Sequence, residues 1–551
     1  MEKMKPKLFS VMKHYSVNQL SKDIVSGIIV AIIALPLSIA LALASGVSPE
    51  QGIYTAIVAG FLISFLGGSR VQIAGPTAAF ATIVAGIVAA KGMDGLVAAT
   101  LIAAVILVIM GFLRVGSLIR FIPYTITTGF TAGIAITLFI GQIKDFLGLT
   151  IVTKEPLIET MDKLTAVVKN IHTVNFHALA VGVVSLLILF LWPKKLQKIP
   201  ASLIAVIVGI LMVKVGGLKA LTIGDLYEIS NKLPAFHMPK MSLALFRAEV
   251  NDGFVIAILA AIESLLSAVV ADSMINSKHR SNMELVAQGI GNAGSVLFGG
   301  IPATGAIART AANIKNGGRT PIAGMVHSIT LVLILVLLMP YAALIPMATI
   351  AAILFQVAYN MSGYKKVVAL CKTASKSDVF VLLVTMVLTV VFDLVVAIEV
   401  GFIAALVLFM KRISDETEIN GWKYVDDEED PDSLTLRRVP EKTLVYEISG
   451  PLFFGVADKI MQIAFAETDS CVVVRMRGVN AMDASAMHAL QELYEDCVRK
   501  NVQLVFSHVN EQPRKVMEKD GFYEKIGAEN FCPHIDEALE RAEEIVNSQK
   551  I

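Results

Sequence analysis

The chain has 551 residues, of which 55% are hydrophobic and 17% charged, and its mean hydropathy is +0.69. That balance excludes a soluble globular protein of this size and points to a polytopic membrane protein. The formal net charge of +1 conceals an asymmetry. Residues 1 to about 412 hold the apolar runs, the rest reads as soluble sequence, and no nucleic-acid partner is expected.

Residues 1–22 are Lys-rich and are expected to form a cytoplasmic N-terminus. The run that follows, DIVSGIIVAIIALPLSIALALASG, is longer than a signal-peptide core and is followed by more such runs, so it reads as an uncleaved first span. Apolar runs punctuated by Gly, Pro and charge give about fourteen segments, starting near residues 24, 50, 77, 95, 121, 176, 199, 252, 283, 304, 319, 345, 378 and 395. The third and tenth are too short to cross alone. Lys and Arg collect after even-numbered segments: Arg70; Arg114 and Arg120; Lys194, Lys195 and Lys198; Lys278 and Arg280; Lys315 and Arg319; Lys365, Lys366, Lys372 and Lys376; Lys411 and Arg412. Positive charge marks cytoplasmic loops, so both termini are expected in the cytoplasm and the protein in a bacterial cytoplasmic membrane. Cys371, Cys471, Cys497 and Cys532 show no CxxC pattern and no His at ligand spacing, which supports neither a zinc site nor a disulfide scaffold.

The two halves of this region resemble each other. QIAGPTAAFA at 72–81 matches FGGIPATGAI at 298–307, aligning Pro76 with Pro302, and FIPYTI at 121–126 matches LIPMAT at 344–349, aligning Pro123 with Pro346. The offsets of 226 and 223 residues agree closely. Repeats of about 23–215 and 252–412 then hold seven segments each, and an odd number inverts the second against the first, the plan of secondary transporters.

In that plan the substrate binds near the midplane, where broken helices aim their N-termini at it. The third segment is expected to begin after Pro76, with Thr77, Ala78, Ala79 and Phe80 in its first turn, and the tenth after Pro302, with Gly305, Ala306 and Ile307. Pro suits a helix start, and first-turn N–H groups lack partners, so two facing N-termini of small residues make an anion site from backbone. Arg309, farther along the tenth segment, adds attraction for an anion or else snorkels to the interface or pairs with an acid. Glu263 stands alone in the apolar run FVIAILAAIESLLSAVVA of the eighth segment, and Ser267 shares its helical face at i+4. A carboxylate and a hydroxyl suit Na⁺, and a desolvated carboxyl can instead carry a proton; either offsets the charge of an anion. Small packing residues at the helix starts and a structural Glu263 are the plainer alternatives. Asp272 and Asp393 fall near segment ends and read as solvated; His327 carries no pattern.

These residues resemble the SulP sulfate-permease family of anion transporters over nearly the whole chain. The segment PEQGIYTAIVAGFLISFLGGSRVQIAGPTA at 49–78 is similar to the family signature, with Pro49, Gly52, Tyr54, Thr55, Ala56, Ser69 and Arg70 in place and Gln51 where Tyr is common. The resemblance implies fourteen segments in two inverted seven-segment repeats, a uracil-permease-like core and gate, and a cytoplasmic α/β STAS domain. It also implies an anion between the third and tenth segments, cation or proton coupling at the position of Glu263, and a homodimer. Many relatives carry Gln and an aromatic after the first Pro, where this chain has Leu37 and Leu41. Sulfate is therefore expected alongside bicarbonate or a C4-dicarboxylate as alternatives, with a passive channel or a STAS-linked sensor as readings of another class.

From residue 440 to 551, strand patterns TLVYEI, CVVVRM and NVQLVF alternate with helical patterns GVADKIMQIAFA and ASAMHALQELYEDCVRK, an α/β domain. MDASAMHALQEL resembles the STAS motif, with Ala484 where anti-sigma antagonists carry a phosphorylated Ser, and Ser485 beside it. The linker 413–439, with VDDEEDPDS, is acidic and reads as mobile. No catalytic constellation is visible, so dimer contact, support and regulation are the roles expected of this domain, and the chain is not expected to be an enzyme. No cofactor is expected beyond Na⁺ as a coupling ion, bound by Glu263 and Ser267.

Overall fold

The computed structural model describes residues 4–117, 123–152, 157, 159–193, 199–238, 242–392, 394–421 and 439–549. Two compact units form, Met1–Phe402 and Ile403–Ile551. Arg120, Lys194, Lys195, Lys198, Asp393 and residues 422–438 of the linker lie outside the described residues.

In the first unit the expected segments appear as helices. The first is Val17–Ala44 and the second Pro49–Leu66. The third and fourth share one run, Ala78–Phe112, broken where Gly92 takes φ 69 and ψ −171, a conformation glycine adopts without strain. Then come Tyr124–Leu147, Phe176–Leu191 and Ala201–Lys214 as fifth to seventh. The second half follows with Val250–Ile275, Ser281–Leu297, Ile307–Lys315, Ile322–Ala342, Met347–Ser362, Lys376–Val391 and Leu394–Glu416 as eighth to fourteenth. Among the described residues, six helices are both long and apolar enough to cross a bilayer alone, the 78–112 run among them. The first segment begins earlier than its apolar run, at Val17, because Ser16 caps it by accepting from Gln19 N.

Packing follows the repeat. The first segment lies on the eleventh as the eighth lies on the 78–112 run, and the fifth lies on the thirteenth as the twelfth lies on the sixth. Gly27 and Gly253 occupy equivalent places. A Cβ at Gly27 would fall 2.6 Å from Ala323 O, and one at Gly253 would fall 2.7 Å from Ile102 Cβ. Backbones that close require glycine, as membrane helix pairs often do. Pro123 and Pro346, aligned in the repeat, stand at the N-caps of the fifth and twelfth segments. Gln51 completes a capping box on the second segment, accepting from Ser48 N at 3.0 Å and donating to Gly299 O at 3.2 Å.

The second unit carries a five-stranded sheet. With β1 as Ala74–Gly75 and β2 as Thr304–Gly305 in the first unit, its strands are β3 (Glu418–Gly421), β4 (Thr443–Ser449), β5 (Cys471–Gly478), β6 (Gln503–Ser507) and β7 (Phe531–Cys532), in that order across the sheet. β3 pairs antiparallel to β4 and the others are parallel. β3 corrects the start of the segment read as a mobile linker, 413–421: the last helix runs to Glu416 and the chain then enters the sheet. The pattern GVADKIMQIAFA is also not one helix. Phe454–Val456 is a 3₁₀ turn and Ala457–Ile460 a single helical turn, which suffices to bury Val456, Ile460 and Ile463. Asp483 caps Ala484–Arg499 by accepting from Ala486 N at 2.9 Å, and it also accepts from Phe454 N at 3.0 Å. Ser485, in the first turn of that helix, is exposed.

Candidate functional site: two crossed strands and a carboxylate

Where the two halves meet, each turns from loop to helix through two residues of extended backbone. β1 and β2 run antiparallel, with Ala74 opposite Gly305 and Gly75 opposite Thr304. β1 leads through the N-cap Thr77 into the third segment, and β2 leads through the N-cap Ala306 into the tenth. Two helix N-termini therefore start beside one crossing. Neither cap bonds its own helix through a side chain, and the N–H groups of Ala78 and Ala79, and of Ile307 and Ala308, have no partner among the described residues. Such groups carry partial positive charge and attract anions.

The expectation for the tenth segment needs correcting. Its helix begins at Ile307, because Thr304 and Gly305 are spent in strand pairing. Gly305 N–H donates to Ser264 Oγ at 3.1 Å and Ala306 N–H to Ile73 O at 2.9 Å, so neither is a free donor. In the third segment Ala79 and Phe80 are buried in the core, Ala78 is nearly so, and Thr77 is half-buried. Phe80 thus packs behind the site, while Ile307 is exposed at its edge.

Glu263 joins the two halves. Its Oε2 accepts from Thr77 Oγ1 at 3.0 Å and from Thr304 Oγ1 at 2.9 Å, and the two hydroxyl oxygens are 3.3 Å apart. Oε1 takes no hydrogen bond from the described residues. Ser267 is fully buried and its hydroxyl has no partner among the described residues, so it shares a helix with Glu263 but is not bonded to it.

Arg309 neither snorkels nor pairs with an acid. It lies in the first turn of the tenth segment at 1% exposure, and Nη2 donates to Ser38 Oγ and to Pro76 O, each at 3.2 Å. Nε and Nη1 have no partner among the described residues. The guanidinium fits against Gly75, where a Cβ would come within 2.1 Å of Nη1. A buried charge with unfilled donors is costly unless something negative comes to it.

The crossing is held from behind. Asn292 closes a two-bond ring on Ala303, accepting from its N–H at 2.8 Å and donating to its C=O at 2.9 Å. Thr310 Oγ1 accepts from Ile73 N at 3.0 Å, and Asn313 Nδ2 donates to Val71 O at 2.8 Å. Another acid, the fully buried Glu284 on the ninth segment, accepts from Gly68 N, Ser69 N, Gln72 Nε2 and Gln288 Nε2 at 2.8–3.1 Å. Glu284, Gln288 and Asn292 recur every fourth residue and so line one helix face. Asp272, expected to be solvated, instead accepts from His279 N at 2.6 Å and faces its Nδ1 at 2.7 Å.

Sequence reasoning missed Thr304, Ser264, Ser38 and Glu284. Thr304 had a signal: it lies 227 residues beyond Thr77, one off the repeat offset of 226, and aligning the prolines set Thr77 against Ala303 instead. Ser38 and Ser264 had none, since their partners are distant in sequence.

Comparison with known proteins agrees with this architecture. Residues 20–385 match the model of the sulfate permease family and residues 435–538 that of the STAS domain. The chain is 39% identical over 530 residues to "Putative sulfate transporter YvdB" of Bacillus subtilis (strain 168), covering 95% of this chain and 98% of that one. It is 31% identical over 541 residues to "Bicarbonate transporter BicA" of Picosynechococcus sp. (strain ATCC 27264 / PCC 7002 / PR-6), covering 94% of each. The solved transmembrane domain of a cyanobacterial BicA superposes with a TM-score of 0.63 at 30% identity, over 70% of this chain and 98% of that one. The structure of SLC26A9 shares the fold, with a TM-score of 0.84 at 17% identity over 99% of this chain and 94% of that one. The chain belongs to the sulfate permease family, with a C-terminal STAS domain.

Proposed function

We propose that this protein is a secondary active transporter that carries a small inorganic anion across the bacterial cytoplasmic membrane together with a proton or Na⁺. It works by alternating access, as a homodimer with both termini in the cytoplasm. The observation that carries this reading is the carboxylate of Glu263, bonded at one oxygen to Thr77 of the first half and Thr304 of the second, beside two helix starts with unpartnered N–H groups.

The anion is held by the first-turn N–H groups of the third and tenth helices, with Arg309 supplying full positive charge beneath the crossing. Glu263 opposes it. A hydroxyl has one hydrogen to give, and while Glu263 is ionised those of Thr77 and Thr304 point at Oε2. A proton on Oε2 removes the repulsion and frees a hydroxyl hydrogen to turn toward the anion, and Na⁺ against Oε1 removes the repulsion by its charge. Anion and coupling ion therefore favour each other's binding, which is the requirement for symport. For Na⁺, Oε1 and the unpartnered hydroxyl of Ser267 are the hard-oxygen donors on this helix face.

Sulfate is the substrate proposed first, with bicarbonate or a C4-dicarboxylate as alternatives. Leu41 is buried and Leu37 half-buried, so the first segment offers the anion no polar contact at these two positions. One relative is named for sulfate and another for bicarbonate. Uptake of labelled sulfate, bicarbonate and fumarate into liposomes holding the purified protein, under an imposed proton or Na⁺ gradient, tests the reading. Gradient-stimulated accumulation of one anion is expected; flux of all three that ignores both gradients would instead mark a channel.

A further inference from the structure

At the end of the membrane unit that carries the N-terminus lies a second cationic cavity, separate from the crossed strands. It is about 540 Å³ in volume and is lined by Lys7, Tyr15, Gln19, Arg70, Arg319 and Thr320, among others. Arg70 is the informative wall. Its side chain makes no hydrogen bond or ion pair with the described residues, yet its Nε is buried. Arg319, by contrast, spends Nη1 on the carbonyls of Ile314 and Gly318. An acid behind the cavity, Asp23, is buried and already engaged by Tyr15 OH, Gln19 Nε2, Arg319 N and the Thr320 hydroxyl at 2.6–3.0 Å. Arg70 and Arg319 thus face an acid whose oxygens are taken, and Lys7, whose Nζ donates to Lys278 O at 2.7 Å, lines the same cavity beside them.

The cavity is roofed by the N-terminal segment, which is fastened on both sides. Lys7 N donates to Gly67 O at 2.8 Å, and Arg280 donates to Lys5 O at 2.6 Å and to Ser10 Oγ at 2.9 Å. The short helix Lys7–Val11 in this segment turns Phe9 outward at 45% exposure; Met12, just beyond it, is 47% exposed and Val17 is 84% exposed. Apolar side chains beside a cluster of Lys and Arg at the end of a helix bundle are the chemistry of a membrane surface rich in anionic lipid.

We propose that this cavity binds a phosphate group, presented by an anionic phospholipid of the surrounding leaflet. The unpartnered edge of the Arg70 guanidinium makes paired N–H···O bonds to it, and Lys7 and Arg319 complete its neutralisation. The site is independent of the transported anion, so it stands or falls apart from the transport reading.

The test is native mass spectrometry of the full-length protein titrated with phosphatidylglycerol, with phosphatidylcholine as the control lipid. A parallel thermal-shift titration uses inorganic phosphate. One phosphatidylglycerol should bind tightly to wild type, and Arg70→Ala and Lys7→Ala should each weaken it about tenfold or more, as loss of a charge-assisted pair predicts. Lys366→Ala, exposed on the helix Tyr364–Thr373, should not. Binding of inorganic phosphate but not of the lipid, lost in Arg70→Ala, would uphold the phosphate site and overturn its lipid source. Unchanged binding of both probes in Lys7→Ala and in folded Arg70→Ala would overturn the proposal, and Lys7→Ala alone decides it if Arg70→Ala does not fold.

Discussion

Two carboxylates within the membrane unit, Glu284 fully buried and Glu263 half-buried, stand on neighbouring helices of this transporter and are held in opposite ways. Glu284 receives four N–H donors that fill both of its oxygens. Glu263 receives two hydroxyls on one oxygen and nothing from the described residues on the other. An N–H group can only donate, so the surroundings of Glu284 fit one state of the carboxylate and fasten the loop 68–72 to the ninth segment. A hydroxyl can donate or accept, so the surroundings of Glu263 can rearrange when a proton or cation arrives. An intramembrane acid is thus a brace or a switch according to its donors.

That contrast is open to direct attack, and the largest effect is expected at the brace. Glu284→Gln sets an amide NH₂ against N–H donors in a buried network, a class of change that costs about 1–3 kcal/mol for each group left unsatisfied. The yield of folded protein and its melting temperature should fall sharply, while transport per folded molecule persists. Glu263→Gln should do the reverse, leaving the melting temperature nearly intact while gradient-driven accumulation falls at least tenfold, a barrier change of about 1.4 kcal/mol. Equal melting losses in the two variants would erase the distinction.

Smaller effects sharpen it. Gly75→Ala drives a Cβ to within 2.1 Å of Arg309 Nη1 and should raise the anion KM severalfold with kcat less affected, if Arg309 binds the anion. Gly305→Ala reaches the brace from the site side, because its Cβ would fall 2.1 Å from Gln72 Nε2, which donates to Glu284. It should lower the melting temperature and uptake together. Thr304→Val removes one hydroxyl from Glu263 and should alter uptake by roughly fivefold, about 1 kcal/mol for a lost hydrogen bond. The double variant with Thr77→Val should depart from additivity, since both hydroxyls serve one oxygen, and a double-mutant cycle measures the departure.

The same contrast explains what could be read from sequence. Glu263 was legible because it interrupts an apolar run, which makes an intramembrane charge conspicuous. Glu284 was not, because SNMELVAQGIGN is a polar stretch in which an acid passes unremarked, and three of its four donors come from residues 68–72, over two hundred positions away. The segments were legible from hydropathy and from Pro76, Pro123, Pro302 and Pro346, whose ring chemistry punctuates helices regardless of packing. The start of the tenth helix was not, because strand pairing with residues 74–75 claims Thr304 and Gly305, and that is a tertiary event. Arg309 read as a possible interface residue for the same reason: its partners Ser38 and Pro76 come from the other repeat. In the soluble unit, β3 was hidden because the acidic composition after Glu416 outweighs a strand of only four residues.

The claim on which the account turns is that Glu263 couples the anion to a second ion. The most direct test is to load liposomes holding wild type or Glu263→Gln with unlabelled anion and compare exchange with net accumulation of label under an imposed gradient. The account predicts that wild type both exchanges and accumulates, whereas Glu263→Gln exchanges but does not accumulate. Accumulation by Glu263→Gln at the wild-type level would contradict it.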